Sequence, residues 1–186
     1  MIIGVTGTIG SGKGTFCSIL EEIGYTKLAF GDEVREELKI RGIAENREAL
    51  QRLGYELRDI LVKKISSHFI AGRNYVIDGF RYPSQYMEML SSHINSKLVA
   101  IDALEECRFD RLRKRKREGD PKNWEEFWVQ NGRDWAGHLE GAGQDVRGCF
   151  KMADYYIDNN GTIENFSKKV KKFNEVTLLS QELITP

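Results

Sequence analysis

A glycine-rich turn near the N-terminus restricts the fold more than any other feature of the sequence. Residues 7–15 read Gly-Thr-Ile-Gly-Ser-Gly-Lys-Gly-Thr and follow a short apolar run, Ile2 to Thr6, that is typical of a buried strand. From Lys13 the apolar residues recur at helical spacing, and Gly24 marks the end of the helix. In this context the N–H groups of such a turn converge on phosphate oxygens at the N-terminus of the helix. The segment therefore predicts a binding site for the phosphates of a nucleoside triphosphate.

The residues of this turn have expected roles in the site. We expect ATP to bind to Gly7, Gly10, Ser11, Gly12, Lys13, Gly14 and Thr15. Lys13 would supply a positive charge to the β- and γ-phosphates and is a predicted catalytic residue. Mg²⁺ accompanies the nucleotide, and Thr15 would lie near the ion with water between them. The alternative is a glycine-rich turn that contains a lysine by chance. That alternative requires the strand, the glycine spacing, the lysine and the helix all to coincide.

The rest of the chain predicts an α/β fold. Apolar runs at residues 27–30, 75–77, 97–101 and 155–157 alternate with segments of helical periodicity. Such alternation predicts a parallel sheet covered by helices on both faces, which is a three-layer α/β/α arrangement. No repeat or low-complexity linker interrupts the 186 residues, so residues 1–186 are predicted to form a single domain.

Composition narrows the possible functions. Lys and Arg together number 28, as do Asp and Glu, so the net charge is zero and no nucleic-acid partner is expected. No apolar run is long enough to span a membrane, and the N-terminus begins with a strand instead of a signal peptide. We therefore expect a cytoplasmic protein without a membrane partner. The three cysteines are well separated, which favours reduced thiols.

Two further segments carry candidates for binding a second substrate. Arg35 lies in Gly-Asp-Glu-Val-Arg after the second apolar run and could clamp a phosphate, while Asp32 could cap a helix and hold Arg35 or a ribose hydroxyl. Asp78 ends the third run, where ligands bind in open α/β sheets. It would orient Mg²⁺ through water or accept a proton from the attacking oxygen, and Arg81 would meet the acceptor phosphate. The alternatives are a capped surface helix and an aspartate that caps a turn.

A strongly basic segment at about residues 105–117 predicts a helix with cations for the transferred phosphate. Arg111 and Arg115 are four residues apart and share one helix face. Cations that arrive when a lid closes stabilise the charge on a phosphoryl group in transfer. A solvated helix face or an RNA contact remains the alternative for this segment. Farther along, Trp124 and Trp128 fall on one helix face and are predicted to form a small core under the lid.

These motifs, in this order, resemble the nucleoside monophosphate kinase superfamily of P-loop kinases. The Gly-Lys-Gly-Thr ending is similar to adenylate kinases, and the Asp-Gly-Phe-Arg segment resembles their Asp-Gly-Phe-Pro-Arg with the arginine one residue earlier. The chain also resembles dephospho-coenzyme A kinases, phage-type deoxynucleotide kinases and an archaeal set of predicted nucleotide kinases. The resemblance implies a five-stranded parallel sheet in the order 2-3-1-4-5. It also implies acceptor-binding helices at about residues 31–72 and a mobile lid at about residues 111–148.

The resemblance assigns roles to further residues. It implies that Arg111 covers the adenine of ATP and that Arg115 contacts the transferring phosphates as a catalytic residue. A late Asn-Gly pair places Asn160 near the adenine, with a simple turn as the alternative. The Arg-x-x-Leu-Gln-x-x-Gly stretch at residues 47–54 implies that Gln51 reads the acceptor base, with a solvated helix face equally open.

The expected activity is transfer of the γ-phosphoryl group of ATP, with Mg²⁺, to a small-molecule nucleotide. The acceptor is expected to be a ribo- or deoxyribonucleoside monophosphate, because the Gly-Asp-x-x-Arg segment resembles one that grips an acceptor phosphate. One alternative is phosphorylation of the 3′-hydroxyl of dephospho-coenzyme A. A second is a nucleotide-binding ATPase or switch that has no small acceptor.

Overall fold

Five parallel strands form one sheet in the order β2-β3-β1-β4-β5. The computed structural model describes residues 1–93, 95–117, 119–136 and 143–182, without the side chains of residues 47, 90 and 180–182. The strands are β1 (Ile2–Thr6), β2 (Thr26–Ala29), β3 (Tyr75–Phe80), β4 (Ser96–Asp102) and β5 (Tyr155–Asp158). The predicted strand order and fold class are confirmed.

Helices alternate with the strands and cover both faces of the sheet. In the described residues they are α1 (Lys13–Glu22), α2 (Phe30–Ile40), α3 (Arg47–Glu56), α4 (Arg58–Ser66), α5 (Pro83–Ser92), α6 (Glu105–Arg115), α7 (Trp124–Ala136), α8 (Val146–Met152) and α9 (Ile163–Glu182). Residues 118 and 137–142 of the predicted lid and the tail at residues 183–186 lie outside the described residues. Within those described, no helix is long and apolar enough to span a membrane.

The alternation of side chains along the strands produces two apolar cores, one on each face of the sheet. In β1, Ile2 packs into a cluster with α2 to α5, whereas its neighbours Ile3 and Val5 pack against α1 and α9. Successive side chains of a strand point to opposite faces, so each central strand contributes to both cores. Burial on both faces explains why these strands are apolar throughout.

A bulge extends β3 beyond its predicted end. The strand was predicted to end at Asp78-Gly79, but its pairing with β1 continues from Val5–Asp78 to Thr6–Phe80 and leaves Gly79 unpaired between them. Gly79 has a φ of 97°, which a glycine adopts without strain. The inserted residue also changes the alternation, so Phe80 packs into the same core as Ile77.

One prediction about the helices needs correction. The α2 helix begins at Phe30 with Ala29 as its N-cap, so Asp32 lies in the first turn and is not the cap. For residues 45–70 the sequence predicts either one long amphipathic helix or a broken pair, and the structure has the pair, α3 and α4, separated at Leu57. The Asn46 side chain caps α3 by accepting a hydrogen bond from the Ala49 N–H at 2.8 Å. Because this cap fixes where α3 begins, it also places the α3 residues that face the cleft described below.

The small core near the predicted lid is built from other aromatic residues than expected. Phe127 of α7 is fully buried against Phe109, Leu112 and Ile9. Trp124 and Trp128, which were predicted to form this core, remain substantially exposed and pack on its outer side.

Candidate functional site

The phosphate loop lies between β1 and α1, as predicted, with its lysine folded against it. The Lys13 Nζ donates hydrogen bonds to the carbonyls of Gly7 at 2.8 Å and Thr8 at 2.9 Å. The pKa of Lys13 is lowered to about 8, chiefly because burial penalises the charged form and also because of the Arg81 guanidinium. The carboxylates of Asp78 and Asp134 oppose this shift.

The turn after β5 forms a hydrogen bond to the phosphate loop. The Asn159 side chain, 6% exposed, donates from Nδ2 to the Ser11 carbonyl at 2.8 Å. Gly12 has a φ of 106°, and a Cβ at this position would lie 2.2 Å from Asn159 Nδ2. Only glycine fits here, because both the backbone conformation and the close approach exclude a side chain.

The sequence reasoning selected Asn160 at this turn and missed Asn159. The Asn160 Oδ1 accepts a hydrogen bond from the Leu104 N–H at 2.6 Å, and its side chain also bonds to Asp158. The assignment of Asn160 to ATP stays a prediction. Two adjacent asparagines gave no signal to choose between them, since the choice depends on which one faces the loop.

The loop fits a phosphate group. The Ser11 hydroxyl is buried and has no hydrogen-bond partner in the described residues, and neither has the Thr8 hydroxyl. The first turn of α1 contains no acidic residue and its N-cap makes no side-chain hydrogen bond. Among the described residues, the N–H groups at the start of this helix therefore have no side-chain partner, which is the arrangement that binds an anion.

A cleft of about 940 Å³ opens beside the loop. It is lined by most of the residues that the sequence selected, namely Gly10, Gly12, Lys13, Gly14, Thr15, Asp32, Arg35, Gln51, Asp78, Arg81, Arg111 and Arg115. The lining does not include three of the selected residues, Gly7, Ser11 and Asn160. A volume of this size is at the upper end of the range for small-molecule sites.

Arg35 lies on the side of the cleft formed by α2. Its Nη1 lies 2.8 Å from Asp32 Oδ1, and its Nε lies 3.0 Å from Glu45 Oε1. The Arg35 side chain is 48% exposed, so the two carboxylates orient a guanidinium that solvent still reaches. Glu45 was missed, because a glutamate in the loop before α3 carries no motif.

Arg81 follows β3 and is held by residues of the predicted lid. Its Nη1 donates to Gln144 Oε1 at 2.7 Å and lies 3.3 Å from Asp134 Oδ2. Its backbone N–H donates to Gln85 Oε1 at 3.0 Å. The sequence did not decide whether Asp134 faces the site, and the structure places it in the cleft lining at 1% exposure.

The basic helix α6 contacts the loop through two arginines. Arg111 donates to the carbonyls of Asn159 at 2.5 Å and Gly10 at 3.5 Å. Arg108, which the sequence reasoning did not assign, is 4% exposed and donates to Asn131 Oδ1 at 2.6 Å and more weakly to the Ile9 carbonyl. Arg108 therefore joins α6, α7 and the phosphate loop.

Arg115 lines the cleft but is paired within its own segment. Its guanidinium donates to both carboxylate oxygens of Asp120, at 2.9 Å from Nε and 2.5 Å from Nη2. The pair spans the end of α6, where Lys116 adopts a left-handed conformation with a φ of 51°. The catalytic role assigned to Arg115 stays a prediction.

The wall of the cleft between α2 and α4 is mostly apolar. Phe30, Val34, Leu50 and Leu61 line it. Gln51 is the polar side chain that α3 adds to this wall, and its Nε2 is buried without a hydrogen-bond partner in the described residues. An apolar wall with a few polar groups is typical of a small-molecule site.

The comparisons with known proteins agree with this geometry. The family described as an AAA domain matches residues 6–127 of the chain. The UPF0200 protein of Pyrococcus horikoshii is 31% identical over 92% of this chain and 95% of its own length. The UPF0200 protein of Hyperthermus butylicus is 33% identical over 92% of each chain. The chain belongs to the UPF0200 family, and it belongs to the AAA domain family that matches its phosphate loop.

Solved structures place this UPF0200 protein in the P-loop kinase fold. Shikimate kinase from Acinetobacter baumannii, in complex with shikimate, aligns with a TM-score of 0.63 at 16% identity, covering 98% of this chain and 94% of that one. A gluconokinase from Sinorhizobium meliloti aligns with a TM-score of 0.59 at 18% identity and the same coverage. Identities this low show the fold alone, and that fold agrees with the one that the motifs predicted.

Proposed function

We propose that the protein is an ATP-dependent kinase that transfers the γ-phosphoryl group to the phosphate of a nucleoside monophosphate, ribo or deoxy. The observation that carries the proposal is the presence in one cleft of the phosphate loop and two further arginines, Arg35 and Arg81. The loop supports a triphosphate donor. The two arginines, on α2 and after β3, support a second anion beside it.

The orientation of the two arginines favours a phosphate as that second anion. Guanidinium groups bind phosphate through paired N–H donors, and the carboxylates beside them fix the plane of the fork. Arg35 is held by Asp32 and Glu45, and Arg81 by Asp134 and Gln144. A kinase whose acceptor offers only a hydroxyl does not need two oriented cations for it.

The remaining side chains fit the chemistry of phosphoryl transfer. Mg²⁺, when bound with ATP, would neutralise charge on the phosphate oxygens, and Thr15 and Asp78 would hold it through water. Among the described residues no group of three His, Cys, Asp or Glu side chains forms a metal site of its own, so the phosphates would supply the other ligands. Lys13, Arg111 and Arg115 would meet the charge on the donor phosphates.

The apolar wall supports a nucleotide as the acceptor. Leu50 and Phe30 offer surface for a base, and the buried Gln51 amide offers a hydrogen bond to its edge. The proposal places the enzyme in the cytoplasm with free nucleotides as substrates, and it includes no membrane or nucleic-acid partner.

A coupled assay of ADP release tests the proposal. Purified protein with Mg-ATP is screened against all ribo- and deoxyribonucleoside monophosphates and against dephospho-coenzyme A, shikimate and gluconate. The expected result is strong stimulation by one or a few nucleoside monophosphates. Stimulation by dephospho-coenzyme A alone, or ATP hydrolysis that no acceptor stimulates, would overturn it.

The Lys13→Ala variant is the control for the origin of the activity. It should retain the circular dichroism spectrum of the wild type and lose phosphoryl transfer, because the charge on the β- and γ-phosphates is no longer met. Near-normal turnover by this variant would place the activity at another site or in a contaminant.

A further inference from the structure

The α7 helix contributes a buried carboxylate to the acceptor side of the cleft. Asp134 is 1% exposed, and its Oδ2 lies 3.3 Å from the Nη1 of Arg81. A buried carboxylate is costly unless a cation or several donors compensate it. Its charge also raises the pKa of Lys13 and of Arg108 against the effect of burial, so it lies within the field of three cations of the site.

The chain that follows α7 holds the same arginine at two more points. Gln144 accepts a hydrogen bond from Arg81 Nη1 at 2.7 Å. The Asp145 N–H donates to the backbone carbonyl of Arg81 at 2.9 Å. Arg81 is thus fixed on side chain and backbone by residues more than fifty positions later in the sequence.

The same face of α7 is also attached to the phosphate loop. Asn131 precedes Asp134 by three residues, so the two side chains share a face of the helix. Asn131 accepts from Arg108 at 2.6 Å, and Arg108 in turn donates to the Ile9 carbonyl of the loop at 3.3 Å. One helix face therefore connects the loop that would bind the donor to the arginine that would bind the acceptor.

We propose that Asp134 is a positioning residue that holds the Arg81 guanidinium in the orientation that receives the acceptor phosphate. It acts through Arg81 and does not itself touch the acceptor, and the inference rests on the proposed function for the identity of that acceptor. The buried negative charge of Asp134 attracts the guanidinium, and a neutral side chain at this position would not. Residues 124–136 then belong to the acceptor site as well as to the lid.

Steady-state kinetics of Asp134→Asn, which keeps the shape and removes the charge, tests this role. The acceptor KM should rise roughly ten- to a hundredfold, because the buried charge that is paired with Arg81 is lost. The KM for ATP should change less than about threefold. In an Arg81→Ala background, Asp134→Asn should have no further effect on the acceptor KM, because the two residues act as a unit. Equal increases in both KM values, or an undiminished effect in the Arg81→Ala background, would overturn the inference.

A second variant separates positioning from a contribution to folding. Asp134→Glu keeps the charge and moves the carboxylate by one methylene. It should keep the circular dichroism spectrum of the wild type and still raise the acceptor KM, by a smaller factor than Asp134→Asn. Loss of stability with an unchanged acceptor KM would make Asp134 merely structural.

A spectroscopic measurement tests the positioning role of Asp134 without any substrate. In ¹⁵N-labelled protein, relaxation of the Arg81 Nε–Hε group should show a rigid guanidinium in the wild type and a mobile one in Asp134→Asn. The exposed Arg35, whose partners are unchanged, is the internal reference. An Arg81 signal that is equally rigid in both proteins would refute the positioning role, whatever the acceptor screen finds. A wild type without acceptor stimulation but with this change in mobility would overturn the proposed function alone.

Discussion

Adding a single methyl group at Gly12 tests the packing of the phosphate loop against the turn after β5. In Gly12→Ala the new Cβ would lie 2.2 Å from Asn159 Nδ2, a distance that the Asn159 amide cannot tolerate. The amide must move, and its hydrogen bond to the Ser11 carbonyl is lost. The alanine must also adopt a φ of 106°, which alanine disfavours.

The two effects have separate magnitudes. A left-handed backbone conformation at a residue with a Cβ costs roughly 1–2 kcal/mol. Loss of a buried hydrogen bond that leaves its partners unsatisfied costs roughly 1–3 kcal/mol. The free energy of unfolding should therefore fall by about 2–5 kcal/mol in Gly12→Ala.

Urea denaturation followed by circular dichroism measures this change, and Gly14→Ala is the matched control. Gly14 lies in the first turn of α1, and a Cβ there meets nothing within 4 Å. Replacing a glycine by alanine in a helix stabilises by about 0.5–1 kcal/mol, so the two substitutions, two residues apart, should have opposite signs. An equal change in both variants would contradict both the strained φ at Gly12 and its close approach to Asn159.

A double-mutant comparison then isolates the contact. In an Asn159→Ala background the steric overlap is gone, and Gly12→Ala should cost only the backbone strain, about 1–2 kcal/mol. If the cost of Gly12→Ala is the same with and without the Asn159 side chain, the reasoning is refuted.

Two further predictions concern binding. Arg35→Ala should raise the acceptor KM far more than the KM for ATP in the coupled assay. The control is Arg41→Ala, which removes a guanidinium with two ion pairs at the C-cap of the same helix, outside the cleft lining, and should alter neither KM. Equal effects of Arg35→Ala on both substrates would remove Arg35 from the acceptor site. The pKa of Lys13 is lowered to about 8, and the negative charge of bound phosphates would raise it again. The affinity for ATP should therefore fall as the pH rises above 8, and binding at pH 9 should be accompanied by uptake of a proton. Calorimetric titrations in two buffers of different ionisation enthalpy measure this uptake, which Lys13→Ala should abolish; an uptake that persists in that variant would assign the proton to another group.

The parts of the site that the sequence predicted are those whose groups are contiguous in the chain. The phosphate loop, the arginine at Arg35 and the carboxylate at Asp78 are each defined by a few consecutive residues whose spacing has a direct physical meaning. The strand order came from the resemblance, since apolar runs alone show that strands exist but not how they pair. The Gly79 bulge depends on the register with β1, which the sequence of β3 does not contain.

The residues that the sequence reasoning missed act across long separations. Asn159 and Ser11 are 148 positions apart in the sequence. Asn159 and not Asn160 contacts the phosphate loop because of the direction in which the chain leaves β5. The sequence alone gave Asp134 no role, and its proximity to Arg81 is visible only in the folded structure. Phe127 is buried instead of Trp124 and Trp128 because of the particular face that α7 presents to α6. These contacts depend on packing between elements that are distant in the sequence, and local periodicity carries no information about such packing.

The bond between Asn159 and the loop has a consequence for the order of assembly. Synthesis proceeds from the N-terminus, so the glycine-rich turn is among the first segments to leave the ribosome. Its partner at position 159 emerges only when most of the chain has been made. The proposed binding of ATP should therefore appear late in synthesis, once β5 has joined the sheet.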